Sequence, residues 1–395
     1  MSVLFEPGYI GKLKVKNRFV RSPTGDKMAA PDGKCTDKLV AFYEELAYGG
    51  SGLIITGGAT VHADGVGMAQ MIGFYKDDII ESYKKLTDTV HAYGAKIVLQ
   101  IHHGGRSIWP AALGRRTPIG PSPVKIHITD VVPKEMTEEE ILEQVNAHAE
   151  AARRAKAAGF DGVQLHACHG DLVSSFLSPF TNRRTDKWGG SLDGYLRFPL
   201  EIYRKGRELV GDDFPILIKM NAEDYIPEGL TIDLSKRMAE KLSAEGYDAI
   251  ELSAGTHMER HFNMARGDIP KDYFGIKGAK TEYKRRKLIK YFKDMAPEVK
   301  FEENYLLPFA KEIKKLIDCP LILPGGVRTV RLMEEIIQEG HADFIGLCRP
   351  LIRDPEFPNK VEKGWVTRSD CLNCNRCLVD KPPMCYQKLY RPPHY

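Results

Sequence analysis

The chain has 395 residues, room for one large α/β barrel and a small appendage, which excludes both a peptide scaffold and a coiled coil. Hydrophobic residues at 43% and charged residues at 28% are the balance of a globular enzyme, so disorder is excluded as a global description. The net charge of +4 is too small for a nucleic-acid footprint spread over the whole protein.

Short runs rich in Val, Ile and Leu alternate with helical stretches, the pattern of parallel strands buried on both faces. Eight strands are predicted: Arg18–Ser22, Gly52–Thr56, Lys96–His102, Gly162–His166, Ile216–Met220, Ala249–Ser253, Leu321–Pro324 and Asp343–Gly346. Helices fit at 36–48, 77–93, 137–158, 192–210, 232–245, 307–317, 330–338 and 355–363. Eight βα units without a sequence repeat argue for an α/β fold of (β/α)8 TIM-barrel type over an open doubly wound sheet. The barrel is expected over 1–365, with a cysteine-rich C-terminal extension over 366–395.

No apolar run approaches the ~18 residues of a membrane span. No charged-then-apolar leader precedes the first strand, so a soluble cytoplasmic protein with no membrane or nucleic-acid partner is expected.

Barrel chemistry sits at the C-terminal strand ends, and polar or glycine residues crowd there. The connection at 254–305 is too long for a simple loop and reads as a lid, an insertion or a binding element. Its segment 277–300 carries nine Lys or Arg against three acids, either a solvated helix face or a docking surface for phosphates or an acidic partner. Gly325 and Gly326 after the seventh strand, and Gly346 and Arg349 after the eighth, supply the two loops that bind phosphate in barrels.

His166 and His169 follow the fourth strand, three residues apart, and two imidazoles so placed can both donate to one carbonyl oxygen. The pair lacks the i, i+4 spacing and the glutamate of a zinc protease, so carbonyl polarisation is favoured over a metal. Lys219 ends the fifth strand and could form a Schiff base, pair with a carboxylate or stabilise an anionic ring.

The runs Phe5-Glu6-Pro7, Lys16-Asn17-Arg18, Gln100 to Arg106 (QIHHGGR), His166 to Phe198 and Ile322 to Pro355 resemble the Old Yellow Enzyme family of FMN-dependent oxidoreductases over roughly residues 1–360. The resemblance implies that Pro23, Thr24, Gly58, Gln100 and Lys219 hold the isoalloxazine ring. It implies that Gly325, Gly326, Gly346 and Arg349 hold the FMN phosphate, in agreement with the loop reading. His166 and His169 would bind the carbonyl of a small-molecule substrate, polarising a conjugated C=C for hydride attack.

Two departures matter. Asp171 stands where the family usually carries a proton-donating tyrosine, and an ordinary aspartate of pKa ~3.9 is ionised at neutral pH. Either Asp171 is a perturbed acid, or His257 or Tyr225 supplies the proton, or the substrate is not an enone. Gly25 replaces a Thr or Cys that tunes the flavin in many members.

Cys371, Cys374, Cys377 and Cys385 bring four thiols together, with the first gaps of a bacterial-ferredoxin-type iron–sulfur run. The branch of 2,4-dienoyl-CoA reductase and trimethylamine dehydrogenase, which this chain resembles, places a [4Fe–4S] cluster there; a structural zinc is the alternative. No Gly-x-Gly-x-x-Gly follows a strand, so no internal nicotinamide domain is expected. With a cluster the electron partner would be a ferredoxin or electron-transfer flavoprotein; with zinc, NAD(P)H would bind over the flavin. The expected function is reduction of an activated C=C, with a CoA thioester as one substrate class and a homo-oligomeric assembly. An amine dehydrogenase exporting electrons through the cluster and a flavin-free lyase using Lys219 are the alternatives.

Overall fold

The computed structural model describes residues 2–109, 112–114, 116–126, 129–259, 264–268, 286, 290, 300–378 and 382–385. The basic segment 277–300 therefore lies, but for Arg286, Lys290 and Lys300, outside the described residues.

Eight parallel strands form a closed barrel: β1 (Phe19–Arg21), β2 (Leu53–Ile55), β3 (Lys96–His102), β4 (Gly162–Ala167), β5 (Ile216–Asn221), β6 (Ile250–Ser253), β7 (Leu321–Leu323) and β8 (Phe344–Leu347). Each strand pairs with the next, and β8 returns to β1, where Gly346 lies opposite Val20. The helices that cover them are α1 (Asp37–Tyr48), α2 (Ile80–Ala92), α3 (Glu138–Ala157), α4 (Leu192–Val210), α5 (Ile232–Glu245), α6 (Leu307–Ile313), α7 (Val330–Gln338) and α8 (Phe357–Glu362). Both sets fall where the apolar runs and amphipathic stretches put them. Thr137 and Glu140 start α3 with a reciprocal capping box, which satisfies two otherwise orphaned N–H groups.

Strand periodicity divides the residues between two compartments. Phe19, Ile54, Ile97, Leu99, Val163, Leu165 and Ile218 belong to the large apolar layer between strands and helices. Val20, Leu53, Ile55, Val98, Leu217, Ala249, Ile322 and Phe344 form a second, smaller cluster together with Ile10 and Val15. Those last two belong to an antiparallel hairpin, Gly8–Ile10 with Leu13–Val15, whose apolar residues plug the bottom of the barrel. Two residues further along β3, β5 and β6 the same inward faces carry Gln100, Lys219 and Glu251, so the interior turns polar towards its top.

The cysteine-rich extension is stitched to the barrel. Ser369 N–H donates to Arg328 O at 3.0 Å, Val330 N–H to Thr367 O at 2.9 Å, and Asp268 N–H to Asn373 O at 3.1 Å. Among the described residues no helix is long and apolar enough to cross a membrane.

Candidate active site

A cleft of about 280 Å3 opens at the C-terminal strand ends. Pro23, Thr24, Gly58, Gln100, Lys219, Gly325, Gly326, Gly346 and Arg349 all line it, as do His166, His169, Asp171 and His257. The two glycine loops earn their residue type: Gly325 and Gly326 have φ of 104° and 81°, which L side chains rarely adopt. A Cβ on Gly346 would come 2.5 Å from Ser22 Oγ, so glycine lets the ends of β8 and β1 meet.

The histidine cluster is built from the ends of β3 and β4 and the loops after β4 and β6. His169 has φ of 65°, unusual for a residue with a Cβ, and its carbonyl accepts the N–H of His257 at 2.8 Å. Asn221 fixes both strands' ends, accepting from His169 N at 3.3 Å and donating to Gly255 O at 2.9 Å. Beneath the loop that carries His257, buried Arg106 pairs with Glu259 at 2.8 Å, and Thr256 Oγ1 donates to the same carboxylate at 2.9 Å.

At the centre lies Asp171, a buried carboxylate ringed by imidazoles. His102 Nε2 donates to its Oδ2 at 2.9 Å, with His166 Nδ1 at 3.5 Å and His257 Nε2 at 3.6 Å from the same oxygen. Burial pushes the carboxyl up, but His257, His102 and His166 outweigh it and hold it down at about 2. Asp171 is thus ionised at neutral pH, and the reading of it as a neutral perturbed acid is corrected. Burial drives His166 the other way, down to about 3, so its ring is neutral. His102, His166 and Asp171 each place a ligand-type atom within 4.8 Å of the others, as do His166, Cys168 and His169. Tyr225 does not line the cleft; its hydroxyl accepts from Arg266 at 3.2 Å. His102 has no role in the sequence reading beyond its place in the QIHHGGR run.

Lys219 Nζ lies 2.6 Å from Glu251 Oε1, both groups buried. Burial lowers the lysine's pKa, but the carboxylate overrides this and raises it, so the amine stays protonated. A protonated lysine is a poor Schiff-base nucleophile, which counts against the lyase reading. At position 25 a Cβ would lie 2.9 Å from Met68 Sδ, so a thioether fills the space beside Gly25.

The segment from Thr181 to Gly190, the most distinctive of the sequence, is scaffold. Asn182 Nδ2 donates to Phe176 O and Trp188 O at 2.9 and 2.8 Å, and Arg184 reaches Pro121 O and Met136 O at 3.1 and 2.8 Å. It ties the loop after β4 to the loop after β3.

The family model for NADH:flavin oxidoreductases and NADH oxidases matches residues 3–272 and 276–368. The chain belongs to that family. It is 36% identical over 374 residues to an NADH oxidase of Thermoanaerobacter brockii, covering 94% of this chain and 52% of that protein. With 4,4'-dithiodibutanoate disulfide reductase of Rhodococcus erythropolis it shares 32% identity, over 95% of this chain and 92% of that protein. The solved complex of 2-naphthoyl-CoA reductase with 2-naphthoyl-CoA superposes with a TM-score of 0.81 at 30% identity, covering 97% of this chain and 56% of that one. The chain thus spans about half the length of the NADH oxidase it matches. The family is one of FMN-dependent oxidoreductases, and the Old Yellow Enzyme resemblance and the flavin-enzyme expectation are borne out.

The residues present suit FMN. Ser22 Oγ and Arg328 Nε line the cleft and are buried without a hydrogen-bond partner, as donors awaiting a ligand would be. Arg349 departs from expectation in one respect: its guanidinium also donates to Arg266 O at 2.7 Å and Asn375 Oδ1 at 2.6 Å.

A second cavity, of about 240 Å3, is lined by Cys371, Cys374, Cys377 and Cys385. Among the described residues no three of these thiols lie within 4.8 Å of one another. Arg349, Asn373 and Cys377 line both cavities.

Proposed function

We propose that the chain reduces an activated C=C conjugated to a carbonyl, with FMN across the barrel mouth and a [4Fe–4S] cluster beside it. FMN, when bound, supplies the hydride. Pro23, Thr24, Gly58, Gln100 and Lys219 would hold its ring, and Gly325, Gly326, Gly346 and Arg349 its phosphate. His166 and His169 line the same cleft and would bind the substrate carbonyl, whose oxygen gains negative charge as the C=C is attacked. The proton for the neighbouring carbon comes from His257, which is 37% exposed, lines the cleft and lies with its Nε2 3.6 Å from Asp171. The observation that carries this reading is the arc of imidazoles around Asp171 above a floor containing Gln100 and Lys219.

The thiol geometry supports the cluster over zinc. A tetrahedral zinc with Zn–S of about 2.3 Å needs sulfurs about 3.8 Å apart, closer than the spacing within any three of these thiols. Four thiols around a cavity suit a larger inorganic core. Because that cavity shares three residues with the cleft, electrons would pass between the sites over a short distance. The immediate donor is then a one-electron carrier or an NAD(P)H-oxidising module, and the 2-naphthoyl-CoA reductase likeness favours a CoA thioester as substrate.

The test is an anaerobic stopped-flow experiment on photoreduced enzyme. An α,β-unsaturated thioester or enone should reoxidise the flavin, whereas its saturated analogue should not. A second reading rests on ionised Asp171, which would also accommodate a cationic amine. Flavin reduction by amines, with no reoxidation by any enone or enoyl thioester, would replace the first reading with the second.

A further inference from the structure

Four polar side chains from consecutive strands hydrogen-bond in a line beneath the cleft floor. Gln100 Nε2 donates to Gln164 Oε1 at 2.8 Å, and Gln164 Nε2 donates to Glu251 Oε2 at 2.7 Å. Lys219 Nζ donates to Glu251 Oε1 at 2.6 Å. Gln100 and Lys219 line the cleft; Gln164 and Glu251 lie behind them, each 0% exposed. A fully buried carboxylate and amide that touch no substrate are costly unless they serve the groups in front of them.

The direction of this chain is forced by chemistry. A carboxylate only accepts hydrogen bonds, so Gln164 must turn its NH2 towards Glu251 and its carbonyl towards Gln100. Gln100 must then give an N–H to Gln164, which leaves its own carbonyl oxygen as the acceptor free for the cleft. At the other end the same carboxylate neutralises the charge that Lys219 offers to a ring above it.

We propose that Glu251 is a positioning residue that sets the two contacts Gln100 and Lys219 would make with the pyrimidine ring of the flavin. Through Gln164 it dictates that Gln100 presents an acceptor to a ring N–H, and through its ion pair it limits how strongly Lys219 favours the anionic reduced ring. The inference rests on the placement of FMN in the proposed function.

Its test combines FMN titration of the apoprotein with dye-equilibrated potentiometry on Glu251→Gln and Gln164→Met. Glu251→Gln leaves Lys219 unpaired, and at a pH low enough to keep that buried amine protonated without its carboxylate the ratio of reduced to oxidised FMN affinity should rise at least tenfold. For the two-electron couple that is a rise of about 30 mV in midpoint potential. Gln164→Met cuts the relay but keeps the ion pair, so oxidised FMN should bind at least threefold more weakly while the potential holds. A Glu251→Gln holoprotein with the wild-type potential overturns the charge role. If that variant does not fold, Gln164→Met decides, and unchanged FMN affinity there overturns the relay. Wild-type protein that takes up no FMN would sink the proposed function itself, and this inference with it.

Discussion

Asp171 is an anion in a place where burial alone would protonate it, and its neighbours are the reason. Its carboxyl is depressed from the ordinary 3.8 to about 2, so it contributes stability above the ordinary value that is lost as pH falls towards about 2. The contribution at neutral pH is on the order of 2 kcal/mol. Asp171→Asn should therefore lower denaturant-measured stability at pH 7 by about that amount, and the gap to wild type should narrow between pH 4 and 2. A gap that does not change with pH would remove the ion-pair account. His257→Phe should slow flavin reoxidation by an enone at least ~100-fold, the usual loss for a general acid. Wild-type reoxidation rates in that variant would place the proton elsewhere. The sequence supplied Asp171 and His257 as candidates, because a charged residue replaced an expected tyrosine. It did not supply His102 as their partner, since 69 residues separate it from Asp171 and only the closed barrel brings β3 beside β4. Glu251 was within reach: a carboxylate in the apolar run Ala249–Ser253 of a strand buried on both faces implies a buried cation, and Lys219 was already marked.

Among the elements, the barrel strands were legible because each is a Val-, Ile- or Leu-rich run whose burial on both faces leaves a continuous apolar signal. The hairpin Gly8–Ile10 with Leu13–Val15 was not, since three-residue strands carry too little periodicity to read. It nevertheless closes the barrel bottom, far from the cleft. Ile10→Ala should cost about 2–5 kcal/mol in chemical denaturation while leaving the bound-flavin spectrum unchanged. A cost below ~0.5 kcal/mol would mean the hairpin is a surface ornament. The extension behaves as part of the barrel rather than as an appended tail, because Asn375 receives Arg349 and donates to Ala265 O and Asp268 O at 2.8 and 3.0 Å. Cys374→Ser should therefore weaken FMN binding as well as abolish the proposed cluster. Loss of iron with full FMN affinity would show that the two sites are energetically separate.

At the scale of the whole molecule, two cavities meet at Arg349, Asn373 and Cys377, one suited to a flavin and the other to an inorganic cluster. The sequence placed both, since glycine loops and clustered cysteines are local signals; their shared wall depends on the extension folding back across β8, which no local pattern encodes. The central claim is that FMN lies across the barrel mouth. Anaerobically purified protein, reconstituted with FMN, iron and inorganic sulfide, should show flavin absorption with equimolar FMN and about four irons per chain. A colourless protein that retains no FMN after reconstitution would contradict it.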